Sequence, residues 1–361
     1  MNGYERICAV LNRKPVDRVP MMLHNFMAAA EEAGISMREY REDPKKMARV
    51  HIDMARKYDL DGVLLDVDTC LEAGAVGVPI DFPEHEPARV IRAASDDIEE
   101  LIEMMDSSKV RKDDRIKKAV EAVYLMKQEV GGELFVRGNC DQMAFSLAML
   151  AYGMEDFMAD LLDEECEEGI FRLMDRAYEV HLEFHKMMQE AGADMTSFGD
   201  SSTGPDLISR EMYRKYALPY HKRLQKDLKD SGVPVLCHIC GKTDIILEDL
   251  AEVGFDAVEL DYKTDIEAAH RILQGKSVLF GPIDPSGIFF AGTADQVRKE
   301  TERVLSICGG KELVIGAGCA LPAGVPEENL RIFSERAASG NSEAALKYWE
   351  GFDVWKESIS Y

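Results

Sequence analysis

The chain has 361 residues, of which 67 are acidic and 43 are basic, giving a formal net charge of −24. A surface this acidic repels phosphate backbones and anionic lipid headgroups, which argues against nucleic-acid binding and membrane-surface binding. The sequence has no signal-peptide core, no apolar run of membrane-spanning length, and eight scattered cysteines, so we expect a cytoplasmic protein with reduced thiols free to bind metal.

Short β-rich runs alternate with long amphipathic or charged stretches along the whole chain. In chain order the runs span residues 18–25, 62–68, 133–139, 195–200, 234–240, 257–262, 277–283 and 313–319. Strand followed by helix, repeated eight times, is typical of an α/β fold of the (β/α)8 TIM-barrel type. We therefore predict a single TIM-barrel domain over residues 1–361.

The connection after the second run is longer than the others. Residues 69–132 begin with a proline-containing stretch and continue into acidic, helix-like sequence. We predict that they form an insertion near the barrel mouth, meaning the end of the barrel where the carboxyl ends of the strands lie.

Nearly every run ends on a polar or metal-ligating side chain. These residues are Asn25, Asp66, Asp68, Asn139, Asp200, Cys240, Asp261, Asp284 and Cys319. One such residue is most simply the start of a loop. Because barrel enzymes place their chemistry at the carboxyl ends of the strands, the whole set predicts a polar, functional mouth.

The fifth run, PVLCHIC, contains a candidate metal site. Side chains alternate faces along a strand, so His238 and Cys240 share one face and Cys237 lies on the other. Cys319 ends the eighth run and is the candidate third ligand. One imidazole and two thiolates suit zinc, and three protein ligands leave the open position of a catalytic site. We expect Asp261, in preference to Glu259, to take the fourth position when substrate is absent.

Simpler interpretations of these residues also exist. Cys240 and Cys319 are also compatible with small buried core residues, although the spacing favours zinc. A redox pair of Cys237 and Cys240 is disfavoured because strand alternation points the two sulfurs apart. His181 and His185 lie four residues apart in HLEFH, but the order is not HExxH, and we expect them on a solvated helix face.

Three stretches carry a family resemblance. Residues 199–224, 236–266 and 281–300 resemble segments of the uroporphyrinogen decarboxylase superfamily, and the similarity extends over essentially the whole chain. The HxCG motif at His238 with the later cysteine in GCALP resembles the branch of zinc-dependent corrinoid methyltransferases, typified by the methylcobamide:coenzyme M methyltransferases.

The resemblance implies a function. It implies zinc (Zn2+) held by His238, Cys240 and Cys319, and methyl transfer between a corrinoid and a thiol. The corrinoid, a methylcobamide, is too large for the barrel, so we expect a partner corrinoid protein to dock over the mouth. We further expect Asp200 and Asn139 to act at the catalytic site by orienting the substrate or a water molecule.

Other functions are compatible with the same sequence. One is a substrate-side methyltransferase that methylates a corrinoid protein from a methylated amine, ether or thioether. Another, of a different class, is a non-catalytic zinc-containing scaffold for a corrinoid partner. Porphyrinogen decarboxylation is disfavoured, because the sequence after the RVP motif, MMLHNFMAAAEEAG, lacks the arginines that would hold the substrate carboxylates.

Overall fold

The computed structural model describes residues 1–339. Its strands are β1 Gly62–Leu65, β2 Ile80–Asp81, β3 Arg89–Val90, β4 Phe135–Gln142, β5 Met195–Gly199, β6 Val235–Ile239, β7 Ala257–Leu260, β8 Val278–Ile283 and β9 Leu313–Ala317. Seven of them form one parallel sheet in the order β1-β4-β5-β6-β7-β8-β9. The two short strands, β2 and β3, form a separate antiparallel hairpin.

Helices surround this sheet. The α-helices are α1 Gly3–Leu11, α2 Phe26–Glu32, α3 Met37–Glu42, α4 Pro44–Lys57, α5 Leu71–Val76, α6 Ile98–Met104, α7 Asp114–Val130, α8 Ala144–Tyr152, α9 Met154–Asp160, α10 Glu167–Glu190, α11 Arg210–Met212, α12 Leu218–Leu228, α13 Leu247–Val253, α14 Ile266–Leu273, α15 Ala294–Cys308 and α16 Glu327–Ser339. Short 3₁₀ and π turns span Ser107–Lys112, Ser201–Thr203, Tyr213–Ala217, Lys229–Ser231, Asp244–Ile246 and Pro285–Phe290. None of the described helices is both long and apolar enough to cross a membrane.

The curled parallel sheet with its helices confirms the TIM-barrel-type α/β fold, but the first of the eight predicted strands, 18–25, is not a regular strand. It makes one parallel bridge, between Met21 and Ile315. Backbone hydrogen bonds nevertheless tie it to both edges of the sheet: Ile315 N donates to Pro20 O at 2.9 Å, and Asp61 N donates to Met21 O at 2.8 Å. Because Pro20 has no N–H to donate, a continuous ladder is interrupted there.

Strand β4 differs in extent from the prediction of 133–139. It continues to Gln142, and its register against β5 shifts between Asn139 and Gln142. Asp141 lies within this irregularity in the left-handed region, with φ of 63°. An extra residue in one strand bends that strand and changes the direction in which its side chains point. In this protein the bend lies at the mouth end of β4.

Apolar side chains fill the space enclosed by the sheet. They come from helix α1, from the segment before β1 and from all seven strands of the sheet: Ile7, Val10, Met22, Leu64, Phe135, Met195, Leu236, Ala257, Val278, Phe280 and Val314. Helix α1 packs against this cluster from the end opposite the mouth, and Tyr4 N donates to Glu133 O in the connection that enters β4. The barrel is therefore a filled core, and its chemistry is confined to the mouth.

The segment 69–132 divides into two parts. Helix α7 packs against α4 and β4, in the position of an ordinary barrel helix. The residues before α7 form the additional structure: α5, the β2–β3 hairpin, α6 and the turn Ser107–Lys112. Both α6 and that turn pack against α10.

The expectation that His181 and His185 face solvent was wrong, because both are fully buried in α10. His181 Nδ1 is 3.0 Å from Glu72 Oε1, and the two histidine Nε2 atoms are 3.1 Å apart. His185 Nδ1 lies 2.9 Å from Thr196 Oγ1. The helix is covered by the sheet on one side and by the additional structure on another, a covering that local sequence does not reveal.

Candidate functional site

Three of the predicted metal ligands lie together at the barrel mouth. The ligand atoms of His238, Cys240 and Cys319 are all within 4.8 Å of one another, and His238 Nε2 is 3.2 Å from Cys240 Sγ. Within residues 1–339 this is the only group of three or more His, Cys, Asp or Glu side chains close enough to hold one ion. The group brings together side chains from the end of β6 and from the loop after β9.

The alternation of side chains along β6 decides which residues reach this group. Cys237 is fully buried and packs in the core between sheet and helices, where burial raises the pKa of its thiol well above the ordinary value. His238, on the opposite face, reaches the mouth, and Cys240 follows the strand in a half-buried position. Cys237 therefore stays outside the group.

A glycine allows Cys319 to approach. A Cβ atom built at Gly318 would lie only 2.5 Å from Leu260 O and 3.0 Å from Tyr262 N. The chain after β9 therefore passes directly against the end of β7, a contact that only glycine permits. The next residue is Cys319, whose sulfur is brought to the site by this close passage.

The orientation of His238 favours metal binding. Its Nδ1 lies 3.1 Å from the main-chain oxygen of Glu259, its neighbour across β6 and β7, so Nδ1–H can donate to that carbonyl. A hydrogen bond at Nδ1 leaves the Nε2 lone pair directed at the two sulfurs. A carbonyl that fixes the tautomer and ring plane in this way is the usual outer-shell support of a metal-binding histidine.

Each of the two cysteines changes the pKa of the other. A hydrogen bond from Cys319 lowers the pKa of Cys240 to about 3, and His238 acts in the same direction. The same contact raises the pKa of Cys319. Burial lowers the pKa of His238, but the nearby Cys240 thiolate outweighs it and raises the pKa to about 9. In the absence of metal these contacts favour the thiolate at Cys240, the thiol at Cys319 and the protonated form of His238.

Beside His238, Cys240 and Cys319, which together are called the metal group below, lies a closed circuit of polar side chains, here called the polar ring. Its members are His24, Asp66, Arg137, Asn139, Ser197 and Glu259. All are buried or half-buried, and they come from four strands or strand ends (β1, β4, β5 and β7) and from the segment before β1.

Each member of the polar ring contacts the next. Arg137 Nε donates to Ser197 Oγ at 2.8 Å, and Ser197 Oγ donates to Asn139 Oδ1 at 3.1 Å. Asn139 Nδ2 donates to Asp66 Oδ1 at 3.0 Å, and Asp66 Oδ2 is 2.6 Å from His24 Nε2. The remaining member, Glu259, closes the circuit.

Glu259 links the polar ring to the metal group. One carboxylate oxygen pairs with Arg137, and the other, Oε1, lies 3.5 Å from His24 Nδ1 and 3.6 Å from His238 Nδ1. Burial raises the pKa of Glu259, but Arg137 and the two histidines outweigh it and hold the pKa below the ordinary value. A fixed negative charge therefore lies behind the imidazole of His238.

His24 is the histidine of the polar ring. Burial lowers its pKa, but the carboxylates of Asp66 and Glu259 outweigh burial and raise the pKa to about 9. Local sequence gives no direct indication of His24 or Ser197 as site residues, and only an indirect one of Arg137. Arg137 could have been found from the sequence, because it is a charged residue inside the apolar run FVRGN. A charged side chain in a buried strand needs a partner of opposite charge inside the barrel.

Asp261 is not part of the group of three. Its Oδ2 accepts a hydrogen bond from Gly241 N and its Oδ1 accepts one from Lys263 N, both at 2.9 Å. Gly241 directly follows Cys240, so the Asp261 carboxylate holds the loop that carries this predicted ligand.

Asp200 and Asn139 have different surroundings. Asn139 is half-buried within the polar ring. Asp200 is fully buried: its Oδ1 accepts from Ser146 Oγ at 2.6 Å, and its Oδ2 is 2.9 Å from His221 Nε2. Its backbone N donates to His238 O at 2.9 Å. Asp200 therefore connects the ends of β5 and β6 to helices α8 and α12.

Comparison with known proteins gives the family. The family model described as uroporphyrinogen decarboxylase (URO-D) matches residues 2–339. The chain belongs to this family. The membership confirms the resemblance predicted from the three sequence stretches, and it identifies the protein as an enzyme.

Relatives within the URO-D family are similar over most of their length. The methylcobamide:CoM methyltransferase MtbA of Methanosarcina acetivorans is 27% identical over 337 residues, covering 92% of this chain and 96% of the relative. MtaA of Methanosarcina barkeri, with the same description, is 25% identical over 340 residues, covering 90% and 94%. The uroporphyrinogen decarboxylase of Thermus thermophilus is 26% identical over 314 residues, covering 82% and 85%.

A solved structure shares the fold. A methyltransferase from Methanosarcina mazei superposes with a TM-score of 0.84 at 21% identity, covering 93% of this chain and 98% of the other. Because the identity is low, the likeness supports the architecture of the URO-D chain and not its substrate.

Proposed function

We propose that this URO-D family member is a zinc-dependent methyltransferase that moves a methyl group between a corrinoid protein and a thiol or similar acceptor. The observation that carries the proposal is the convergence of His238, Cys240 and Cys319 within 4.8 Å at the barrel mouth. The relatives named methylcobamide:CoM methyltransferases, which align over nearly the whole chain, support the reaction class.

The donor set fits zinc. Two sulfurs and one imidazole nitrogen are ligands that zinc accepts in tetrahedral sites, and three protein ligands leave one position for a substrate. His238 Nε2 and the sulfurs of Cys240 and Cys319 would hold the ion. Zinc bound there would keep a substrate thiol deprotonated and therefore nucleophilic at neutral pH.

The residues of the chain prepare this site before substrate arrives. Two thiolates would balance a divalent ion, so the loaded site would be neutral before a substrate thiolate adds to it. The Glu259 carbonyl fixes the tautomer of His238, and the Glu259 carboxylate adds negative charge behind the ring. Electron donation of this kind keeps a sulfur in the open position nucleophilic.

The remaining predicted site residues have proposed supporting roles. Asn139, half-buried in the polar ring, is proposed to orient the polar end of the substrate. Asp200 is proposed as a positioning residue that acts through the strand end carrying His238. Asp261, whose carboxylate accepts hydrogen bonds from Gly241 N and Lys263 N, is proposed as the fourth ligand in the absence of substrate.

Porphyrinogen decarboxylation is the second candidate, because relatives named uroporphyrinogen decarboxylase also align with this chain. A porphyrinogen carries several carboxylates and calls for unpaired cations at the mouth. Arg137, the arginine of the polar ring, is paired with Glu259. The thiolate-rich ligand group favours methyl transfer over this candidate.

The proposed function is tested by measuring the zinc content and the methyl-transfer activity of the same protein. The zinc-loaded protein should contain about one zinc per chain and should demethylate methylcobalamin in a thiol-dependent reaction followed by absorbance. His238→Ala and Cys319→Ala should lose both properties. Cys166→Ala, at a half-buried cysteine preceding α10, is the matched control and should keep both. Turnover of a porphyrinogen without zinc would favour decarboxylation instead.

A further inference from the structure

The hydroxyl of Ser201 contacts the metal group from the turn that follows β5. Its Oγ lies 3.7 Å from Cys240 Sγ, within hydrogen-bond reach of a sulfur atom. A thiolate can only accept a hydrogen bond, so the hydroxyl is the donor whenever Cys240 is ionised. Ser201 therefore contacts a proposed zinc ligand without being a ligand itself.

Neighbouring elements hold Ser201 in this position. Ser201 N donates to Gln142 Oε1 at 3.4 Å, and Gln142 lies at the irregular end of β4. On the other side of the turn, a Cβ atom built at Gly204 would lie only 2.5 Å from the backbone oxygen of Cys240. The turn therefore passes directly against the chain at Cys240, a close approach that glycine permits.

Zinc would remove the other hydrogen-bond partners of the Cys240 sulfur. In the absence of metal these partners are His238 and Cys319. Both would be ligands in the loaded site, so His238 Nε2 and the Cys319 sulfur would have lost the protons that they could donate. Within residues 1–339 the hydroxyl of Ser201 is then the remaining hydrogen-bond partner of this sulfur.

The sulfur of Cys319 has a donor of a different kind. The backbone N–H of Ala320, the next residue in the chain, donates to it. Each of the two proposed thiolate ligands therefore accepts one hydrogen bond from outside the ligand set. The bond to Cys319 comes from the backbone, and only the bond to Cys240 depends on a side chain that substitution can remove.

The proposed reaction needs a way to distinguish between sulfurs. A loaded site with substrate contains three thiolates, and any of them can attack a methyl carbon. Attack by a ligand forms an S–CH3 bond and breaks the bond from that carbon to its leaving group, which keeps the electron pair. The methylated ligand is a neutral thioether, so the ion loses one of the two negative charges that balance it.

A hydrogen bond lowers the nucleophilicity of a thiolate. A hydrogen bond to a charged group shifts an equilibrium by about 10- to 100-fold, and here it favours the anion and makes the sulfur less basic. Thiolate nucleophilicity follows basicity with a slope of about 0.4 to 0.5. One hydrogen bond should therefore slow attack by a thiolate about three- to tenfold.

We propose that Ser201 protects Cys240 from methylation by donating a hydrogen bond to its zinc-bound thiolate. The substrate sulfur in the open position lacks this donor and is the sulfur that is methylated. The inference rests on the zinc-binding part of the proposed function. Ser201 touches a ligand and not the reacting atoms, so it is a positioning residue that determines which sulfur reacts.

The test measures methylation of the cysteines by iodomethane in the zinc-loaded full chain, with no thiol added. Attack forms an S–C bond and breaks the C–I bond, and iodide leaves with the electron pair, so no corrinoid is needed. Peptide mass spectrometry gives the methylation rates of Cys240 and Cys319. The half-buried Cys166, which precedes α10, is the internal reference in each sample. Zinc content and thermal unfolding verify that each variant is loaded and folded.

Threonine and valine form a matched pair at position 201, because they have nearly the same shape and only threonine has a hydroxyl. Ser201→Thr should keep the wild-type methylation rate of Cys240. Ser201→Val and Ser201→Ala should each raise that rate about three- to tenfold and leave Cys319 and Cys166 unchanged. The control is Ser202→Ala, which removes the neighbouring hydroxyl from the same turn and should have no effect.

Two results would overturn the assignment of Ser201. One is an equal Cys240 rate in the threonine and valine variants. The other is acceleration in Ser201→Ala without acceleration in Ser201→Val, which would show that the serine only blocks access. If the valine variant does not fold, an equal Cys240 rate in Ser201→Ala and Ser202→Ala overturns the assignment.

Failure of the proposed function has a different signature. If the wild-type protein binds no zinc, the function and the assignment of Ser201 both fall. If the protein binds zinc and Ser201 slows methylation of Cys240, but methylcobalamin is not demethylated, only the proposed methyl transfer is lost. If methylcobalamin is demethylated and the threonine and valine variants are methylated equally, only the assignment of Ser201 is lost.

Discussion

His238 and Glu259 are partners across β6 and β7, and the imidazole Nδ1 of His238 lies 3.1 Å from the backbone oxygen of Glu259. The strand that carries the proposed metal ligand His238 is therefore paired with the residue whose carbonyl orients its imidazole. The carboxylate of Glu259 also connects the metal group to Arg137 and His24 of the polar ring.

The pairing of Arg137 with Glu259 should have a large effect on stability. In Glu259→Gln the buried guanidinium loses its counter-charge, and the free energy of unfolding should fall by about 3 to 5 kcal/mol. Denaturant unfolding measures the change. Glu99→Gln, in an exposed carboxylate–Arg172 pair, is the control and should have little effect, because exposed pairs contribute little. A Glu259→Gln protein as stable as wild type would show that the pair is dispensable.

The stability contributed by His24 should depend on pH. Its folded-state pKa is raised to about 9 from an ordinary value of 6.5. The folded state therefore binds the proton more tightly than the unfolded chain, and the stabilisation is complete below pH 6.5. It should be lost as pH rises through 9, with a total of about 3 kcal/mol.

Unfolding of wild type and His24→Gln across this pH range tests the sign. The difference in unfolding free energy between the two proteins should be largest near pH 6 and should shrink towards pH 9.5. A difference that is constant across the range, or that grows with pH, would contradict a protonated His24 between Asp66 and Glu259.

Zinc binding should release protons. In the metal-free group the pKa of Cys319 is raised by its hydrogen bond to Cys240, and the pKa of His238 is raised to about 9. Both residues must lose a proton to bind an ion, so about two protons should be released per zinc at pH 7.5. Calorimetric titration in buffers of different ionisation enthalpy counts them. Release of no protons would contradict these protonation states.

The carboxylate of Asp261 should support zinc affinity. It accepts a hydrogen bond from Gly241 N, the residue after Cys240. Asp261→Asn keeps the shape but weakens this support, and removal of outer-shell partners typically weakens metal binding by about 10- to 100-fold. Competition with a chelator of known affinity measures the change. Unchanged zinc affinity would show that Asp261 neither binds the ion nor positions its ligand.

Local sequence predicted much of the fold, because each β-rich run carries its own signal in apolar and β-branched residues. It failed at 18–25, where the chain occupies the place of a strand but Pro20 breaks the ladder. It also failed for His181 and His185, whose burial depends on Glu72 and on elements distant in the sequence.

The candidate site likewise contains residues that local sequence predicts and residues that it does not. Strand alternation selected His238 and Cys240 over Cys237, since the period of two is a local property. The sequence indicates Cys319 because it ends the eighth β-rich run, and the structure places it in the loop just after β9. Local sequence could not predict the polar ring. The contacts of His24 with Glu259 and of Arg137 with Ser197 depend on which strands are neighbours in space.

X-ray absorption at the zinc edge of the loaded protein tests the central claim most directly. With three protein ligands and an open position, the spectrum should show two sulfurs at about 2.3 Å and one imidazole nitrogen at about 2.0 Å. Addition of a thiol substrate should raise the sulfur number to about three. A protein that binds no zinc, or a sulfur number that stays at two in saturating thiol, would contradict the account.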